Sequence, residues 1–373
     1  MRPGTSPLVA LILVAGLIPA CSHSTRGTVH RSTIPEHPSR SPTGSPLQLV
    51  VRGNRLVDSS GQAVRLLGVD LSGAEYACIQ STGFFDTPTD DRQIGLIASW
   101  HVNVVRVPLN EDCWLGVNAP PPYSGAAYRA QILGLVARLH RHGMFVILDL
   151  HWNAPDGEPA TGLRRMADAD HSPAFWRSIA QTFRSDHAVL FDLYNEPHNL
   201  SWACWRDGCL LRGPYQEADD REPRSFNAAG MQQLVDAVRG TGATQPLMVG
   251  GNNWANDLTR WPTYLPHDPL GQLVASFHLY NFNECIDVTC WNRTIAPIAQ
   301  NYPVVSGEIG EDDCAHGFID RYMTWADQQG VSYLAWQWGA FDCRGGPSLI
   351  SNYDGTPTPF GEGFRQHLLT LKP

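Results

Sequence analysis

Short apolar runs recur along residues 65–337 and alternate with longer amphipathic segments. Each run is apolar at consecutive positions, which is the pattern of a parallel strand buried on both faces. Eight runs therefore predict eight strands, at residues 65–71, 102–108, 144–150, 189–194, 246–250, 273–278, 303–308 and 332–337.

The segments between these runs carry apolar residues three and four positions apart, which predicts amphipathic helices. In the segment 127–140, Ile132, Val136 and Leu139 share one face, and Gly143 follows as a stop signal. Further helices are predicted at residues 92–100, 173–183, 226–238, 291–299, 319–328 and 360–371, whereas the connection at 257–264 is too short to assign. A short β-hairpin is predicted ahead of the first run, from residues 47–51, 55–57 and 62–64.

Eight strand–helix alternations in one chain predict the α/β class and a closed (β/α)8 TIM barrel, with loop chemistry at the C-terminal face of the strands. The alternative is an open doubly wound sheet. That fold would need a glycine-rich phosphate loop after its first strand, which the segment 68–73 does not supply. No second linker interrupts the alternation, so residues 47–373 are predicted to form one domain, which we expect to be monomeric.

The N-terminal 46 residues have a different composition. Residues 8–18 form an apolar stretch of signal-peptide length, too short for a stable membrane span. Residues 1–20 are therefore predicted to be a signal peptide, and the Ser-, Thr- and Pro-rich residues 21–46 a flexible tether. The ending Ile18-Pro19-Ala20-Cys21 resembles the lipobox of bacterial lipoproteins. We therefore expect a bacterial protein that lies outside the cytoplasm. Two alternatives stay open, namely plain secretion and a cell-envelope lipoprotein acylated on Cys21.

Charge excludes several function classes. The 27 basic and 36 acidic residues give a net charge of −9, which argues against a nucleic-acid partner. Lys372 is the only lysine, which removes Schiff-base chemistry and the lysine of a phosphate-binding loop.

Nine cysteines leave an even set of eight once Cys21 is set aside, and this predicts disulfides in an exported protein. The five-residue spacings favour Cys204–Cys209 and Cys285–Cys290. Cys78–Cys113 and Cys314–Cys343 complete the set, the former by elimination alone. A zinc site is disfavoured because no metal-ligand spacing occurs among them.

Polar residues at the predicted strand ends indicate the chemistry. Two glutamates follow the fourth strand and end the seventh, and a barrel presents such residues at one rim. One carboxylic acid can protonate a glycosidic oxygen while a second carboxylate attacks the anomeric carbon. Arginine, histidine, tyrosine and tryptophan accompany them, and the full set is Arg106, His151, Asn195, Glu196, His278, Tyr280, Glu308 and Trp336.

The run Leu193-Tyr194-Asn195-Glu196-Pro197-His198 resembles the Asn-Glu-Pro signature of glycoside hydrolase family 5, and the similarity extends over residues 47–373. The resemblance implies that Glu196 is the general acid/base and Glu308 the nucleophile of a retaining β-glycosidase. It also implies that Arg106 and Tyr280 support Glu308, that Asn195 binds the sugar 2-hydroxyl, and that Trp336 forms the floor of the subsite. His151 and His278 are expected to orient substrate or carboxylate groups, with no metal or cofactor.

Other tryptophans after the strands are candidates for a saccharide groove: Trp152, Trp202, Trp205, Trp254 and Trp338. The long segment 198–224 is expected to build a wall near the acid/base. The family resemblance favours a β-1,4-glucan as the substrate. β-Mannan, β-1,3-glucan and a glycolipid glycan stay open, as does a non-catalytic glycan-binding barrel.

Overall fold

Eight parallel strands close into a barrel in the computed structural model, which describes residues 47–217, 220–222, 224–344 and 346–371. The predicted signal peptide, the tether and Cys21 lie outside these residues. The barrel strands are β4 (Leu67–Asp70), β5 (Val104–Asn110), β6 (Phe145–Trp152), β7 (Val189–Asp192), β12 (Leu247–Gly250), β13 (Leu273–Tyr280), β14 (Val304–Gly310) and β15 (Ser332–Ala335). Their order around the barrel is β12-β13-β14-β15-β4-β5-β6-β7, and β7 pairs with β12 to close the ring. The predicted (β/α)8 fold is confirmed.

Helices connect most of these strands. They are α1 (Asp91–Ala98), α2 (Glu111–Leu115), α3 (Ala126–Arg141), α4 (Ser172–Phe183), α5 (Trp202–Asp207), α6 (Met231–Arg239), α7 (Val288–Thr294), α8 (Ala296–Ala299), α9 (Gly317–Gln329) and α10 (Pro359–Thr370). Local sequence fixes their ends: the Asp90 side chain caps α1 by accepting a hydrogen bond from the Gln93 backbone, and Gly330 ends α9 in the left-handed region. Within the described ranges, no helix is long and apolar enough to cross a membrane.

The barrel lumen has an apolar layer below a polar one. Val104, Ile147 and Leu190 belong to a buried apolar cluster, which also includes Leu49, just before the first N-terminal strand, and Leu56 in the second. Two positions further along the same three barrel strands stand Arg106, Asp149 and Asp192, all fully buried. Because side chains alternate faces along a strand, positions two apart share a face. The polar layer is therefore stacked directly on the apolar one.

Three predicted elements differ from the structure. The N-terminal hairpin is a three-stranded antiparallel sheet of β1 (Val50–Arg52), β2 (Arg55–Val57) and β3 (Ala63–Val64). The helix predicted at 226–238 starts only at Met231, because β11 (Phe226–Ala228) pairs with β8 (Cys209–Leu211). The ambiguous 257–264 connection holds only a 3-10 turn, Trp261–Thr263. A further hairpin joins β9 (Tyr215–Glu217) and β10 (Asp220–Glu222).

Four disulfides join the loops in the pairing expected from the sequence, namely Cys78–Cys113, Cys204–Cys209, Cys285–Cys290 and Cys314–Cys343. The Cys78–Cys113 bridge, which only elimination supported, is fully buried and links the loop after β4 to α2. Disulfides of this number fit a protein that resides outside the reducing cytoplasm.

Candidate active site

Arg106 on β5 is the centre of the polar layer. Its guanidinium contacts four carboxylates: Asp70 and Asp192 at 3.0 Å, Asp149 at 3.0 Å and Glu308 at 2.8 Å. One positive charge cannot balance four buried negative charges. Burial raises the pKa of Asp70 well above its usual value and that of Asp192 to about 7, against the opposing pull of Arg106. Burial therefore opposes the ionisation of Asp70 and Asp192, and Arg106 favours it.

Glu308 on β14 differs from these carboxylates because its surroundings favour the ionised form. Burial alone would raise its pKa, but His278, Arg106 and other groups lower it to about 2. The Tyr280 hydroxyl adds to this effect by donating a hydrogen bond to Oε2 at 2.5 Å. Donors and positive charges favour the ionised carboxylate. Glu308 is thus a buried anion with its charge compensated on several sides.

His278 on β13 lies between the two glutamates. Its Nδ1 is 2.9 Å from Glu196 Oε1 and 3.6 Å from Glu308 Oε2. Burial would lower the pKa of the imidazole, but Glu308 and the hydrogen bond with Glu196 raise it above its ordinary value. Oxygens of Glu196 and Glu308 and a nitrogen of His278 all lie within 4.8 Å of one another.

Asn195 and His151 complete the floor of the site. Arg106 Nη2 donates a hydrogen bond to Asn195 Oδ1 at 2.8 Å. This contact fixes the orientation of the amide, and the NH2 group stays on the side away from the arginine. His151 Nδ1 is 2.7 Å from Asp149, and its ring stacks on Trp336 with centroids 5.4 Å apart. The structure therefore brings together all eight residues that the sequence predicted for the site.

Two adjoining cavities form a cleft over this floor. The smaller, of about 570 Å³, contains Glu196 and Glu308, with Trp254 and Phe282 also in its lining. The larger, of about 1260 Å³, runs past Glu75, Tyr76 and Trp152. The cavities share His151, Leu163 and Trp336. Together they exceed the usual size of a pocket for a drug-sized ligand.

Comparison with known proteins identifies the fold family. The model of the cellulase family, glycosyl hydrolase family 5, matches residues 57–342. The chain belongs to this family. The match includes both glutamates of the cleft and every strand of the barrel.

Individual relatives are distant. Endoglucanase MaCel5A of Microbulbifer sp. is 28% identical over 78% of this chain and 51% of its own length. A mannan endo-1,4-beta-mannosidase of Salipaludibacillus agaradhaerens is 21% identical over 77% of this chain and 80% of its own. The chain spans 51–59% of the length of three endoglucanases that it matches.

A solved structure supports the fold. The β-glucanase SdGluc5_26A of Saccharophagus degradans, in complex with cellotetraose, aligns with a TM-score of 0.65 at 21% identity. The alignment covers 87% of this chain and 94% of the β-glucanase. At this identity, the likeness shows the barrel fold.

The tryptophan candidates predicted from the sequence divide between cleft and core. Trp152, Trp254 and Trp336 line the cleft. The other three predicted candidates do not: Trp205 is fully buried and donates its indole N–H to the Gly250 carbonyl, and Trp202 packs on it. Trp338 is also fully buried, against Trp100.

The segment 198–224 was expected to build a wall near the acid/base. Its first residue, His198, has Nδ1 2.7 Å from the backbone oxygen of Glu196 and stacks on Trp254, which lines the smaller cavity. Pro214, Tyr215, Gln216 and Glu222 line the larger cavity. The segment thus contributes both beside Glu196 and along the larger cavity.

Sequence reasoning missed the carboxylates around Arg106. Asp70 and Asp192 interrupt otherwise apolar strands, and an ionisable residue in a buried strand needs a partner. That signal could have assigned both to the arginine. Glu75 was missed as well; burial raises its pKa to about 7 although it lines the cleft. Nothing in the sequence around Glu75 marks it.

Three groups of described residues could hold a metal ion by proximity alone. Cys314 and Cys343 of one group form a disulfide. A second is the pair of glutamates with His278, and a third consists of Glu111, Asp168 and His171.

Proposed function

We propose that this protein is a retaining endo-β-1,4-glucanase in which Glu308 is the nucleophile and Glu196 the general acid/base. The spacing of the two glutamates carries the proposal, since one carboxylate oxygen of Glu196 lies within 4.8 Å of one carboxylate oxygen of Glu308. Retaining glycosidases hold the two carboxyl groups about 5–5.5 Å apart, whereas inverting enzymes separate them by about 6.5–9.5 Å to admit water. The short spacing supports direct attack by a carboxylate.

The first step would form a glycosyl-enzyme. Glu308 Oε attacks the anomeric carbon while the bond from that carbon to the glycosidic oxygen breaks, and protonated Glu196 gives its proton to the departing oxygen. In the second step, Glu196 takes a proton from water, and the resulting hydroxide displaces Glu308 from the same carbon. The product keeps the β configuration, and both glutamates return to their initial states.

The surroundings support this division of roles. Glu308 is ionised because Arg106, His278 and Tyr280 face it, as a nucleophile requires. Glu196 is more exposed, with 13% of its side chain accessible, as suits a group that must meet both a leaving group and water. Asn195 can donate its NH2 group to the sugar 2-hydroxyl, a contact that strengthens in the transition state.

The substrate is proposed from the cleft and the relatives. The long cleft with Tyr76, Trp152, Trp254 and Trp336 suits an extended chain of sugars, whose apolar faces stack on aromatic rings. Matches named as endoglucanases favour β-1,4-glucan, and the mannosidase match makes β-mannan the second candidate.

Proton NMR of the first product tests the mechanism. A β-anomer released from a β-linked oligosaccharide is expected, and an α-anomer would disprove the retaining roles of both glutamates.

Azide provides the second check. It should rescue Glu196→Ala with β-azide product and Glu308→Ala with α-azide product, while the surface control Glu362→Gln should behave like the wild type.

Product analysis tests the substrate. Carboxymethylcellulose, mannan, laminarin and a glycolipid are compared by reducing-sugar release. Fastest release from carboxymethylcellulose with a steep fall in viscosity supports endo-acting β-1,4-glucanase activity. Faster release from mannan would replace the glucan assignment without changing the mechanism, whereas no release from any of them would favour a glycan-binding barrel.

A further inference from the structure

A second group of acidic side chains lies behind the cleft wall. Glu111 and Asp112 open α2 directly after β5, and Asp168 lies in the loop that leads to α4. All three side chains are fully buried. Atoms of Glu111, Asp168 and His171 that can bind a metal lie within 4.8 Å of one another.

The hydrogen bonds of this group are incomplete. Glu111 Oε2 accepts from the Ser172 hydroxyl, but Oε1 has no hydrogen-bond partner among the described residues and points toward His171 Nδ1, 3.9 Å away. Asp112 Oδ2 accepts from the Ala160 backbone at 2.9 Å, while its buried Oδ1 has no partner in the same part of the chain. Buried polar atoms in folded proteins are nearly always hydrogen-bonded, so such an atom calls for an explanation, of which a bound ion is one.

The charge is incomplete as well. Around the active site, Arg106 compensates the carboxylates, yet no arginine or lysine of the described chain forms an ion pair with Glu111, Asp112 or Asp168. Buried charges are normally paired or bound to metals.

We propose that Glu111, Asp168 and His171 bind one hard divalent cation, of the Ca²⁺ or Mn²⁺ type, with Asp112 beside them. Carboxylate oxygens are the preferred ligands of these ions, and Mn²⁺ also accepts an imidazole. A proton shared by Glu111 and Asp168 is the competing explanation. It would neutralise one charge of three, whereas a dication neutralises two and gives the free Glu111 oxygen a partner.

The bound ion would brace one wall of the cleft. Asp112 holds the backbone of Ala160, and Asp168 accepts from the Asn153 side chain at 2.9 Å. Both contacts fasten the loop whose residues 158 and 159 and 161–164 line the larger cavity. The site is therefore structural, and it lies outside the proposed catalytic group.

Thermal unfolding of the whole protein tests the proposal. The protein is treated with EDTA, desalted, and melted with 1 mM CaCl2, MnCl2 or MgCl2. We expect CaCl2 or MnCl2 to raise Tm by about 4 °C, as for a ligand well above its Kd that binds only the native state. Elemental analysis after equilibration and desalting should find about one ion per chain.

Matched variants separate the cation from the proton. Glu111→Gln should lose the Tm shift and the bound ion, and Glu362→Gln on the exposed face of α10 should keep both. If Glu111→Gln does not fold, His171→Gln replaces it as the test, because it is a milder change at a partly exposed residue. His171→Gln should weaken the affinity of the protein for the cation at least tenfold.

Two results would overturn the cation site. One is a wild-type protein whose Tm is insensitive to EDTA and to all three salts and which holds no ion, since a shared proton would then explain the cluster. The other is a Glu111→Gln protein that binds the ion as tightly as the wild type. Neither readout depends on enzymatic activity, so the outcome is independent of the proposed glycosidase function.

Discussion

Tyr280 donates a hydrogen bond to the carboxylate of Glu308, and its removal should be visible in the pH dependence of activity. The pKa of Glu308 is about 2, below the ordinary 4.5, so the proposed nucleophile stays ionised through mildly acidic pH and loses its charge only as pH falls through about 2. In Tyr280→Phe, the pKa rises, and the acidic limb of kcat/KM should move upward by about one pH unit.

The measurement is kcat/KM on a chromogenic cellobioside between pH 1.5 and pH 7, with brief exposure to each pH and a check by circular dichroism that the protein stays folded. Tyr302→Phe, near the N-terminal sheet, is the matched control and should leave the limb in place. An unchanged limb in Tyr280→Phe would show that the hydroxyl does not set the charge of Glu308.

Trp336 and Trp338 stand two residues apart but should fail in different ways when mutated. Trp336 lines both cavities, so Trp336→Ala should lower kcat/KM on the order of tenfold or more, equivalent to about 1.4 kcal/mol of lost transition-state binding. Trp338 is fully buried, and Trp338→Ala should cost about 3–5 kcal/mol of unfolding free energy. Urea unfolding and steady-state kinetics on both variants separate the two effects; equal loss of activity with intact stability would contradict the assignment.

At the level of elements, the disulfides should differ in how much they contribute to the free energy of unfolding, according to the length of chain that each one closes. Cys78–Cys113 spans 35 residues, while Cys204–Cys209 spans 5. Loop-closure entropy predicts a cost of about 4 kcal/mol for replacing the first pair with alanines and about 2 kcal/mol for the second. Urea denaturation of the two double variants measures the difference, and a larger loss for the short loop would argue against an entropic origin.

The barrel strands could be predicted from the sequence because they are buried on both faces and form continuous apolar runs. The helix predicted at 226–238 was wrong at its start, because backbone pairing of Ala228 with Cys209 depends on a segment 19 residues away. Local periodicity carries no information on such a pairing.

The site was predictable in its residues but not in its electrostatics. Glu196 follows the fourth barrel strand and Glu308 lies near the C-terminal end of the seventh, so their shared rim follows from the fold. The burial of Trp202 and Trp205 in the core could not be predicted, because their helix α5 has only six residues, too few to show a helical period in the sequence. The balance of charge around Arg106 depends on distances in three dimensions.

At the level of the whole molecule, export remains a prediction from residues 1–21. If the lipobox resemblance of Cys21 is functional, labelled palmitate should appear on the wild-type protein in a bacterial host and be absent from Cys21→Ala. Cys21→Ala should keep the kcat/KM of the wild type, because the described barrel begins after this segment. Fractionation of cells and medium completes the measurement, and unlabelled wild-type protein in a host that lipidates other proteins would leave plain secretion as the mode of export.

Arg106 joins β5 to side chains from β4, β6, β7 and β14, which are the first, third, fourth and seventh strands of the barrel in chain order. The charge state of Glu308, the proposed nucleophile, therefore depends on contacts that the closed ring brings together and that a partly assembled ring would lack. During folding, a chain that lacked β14 would have neither Glu308 in place nor the balance of charge that keeps it ionised. Catalytic competence thus arrives only with the last closure of the ring, which makes activity a late and stringent reporter of the native topology.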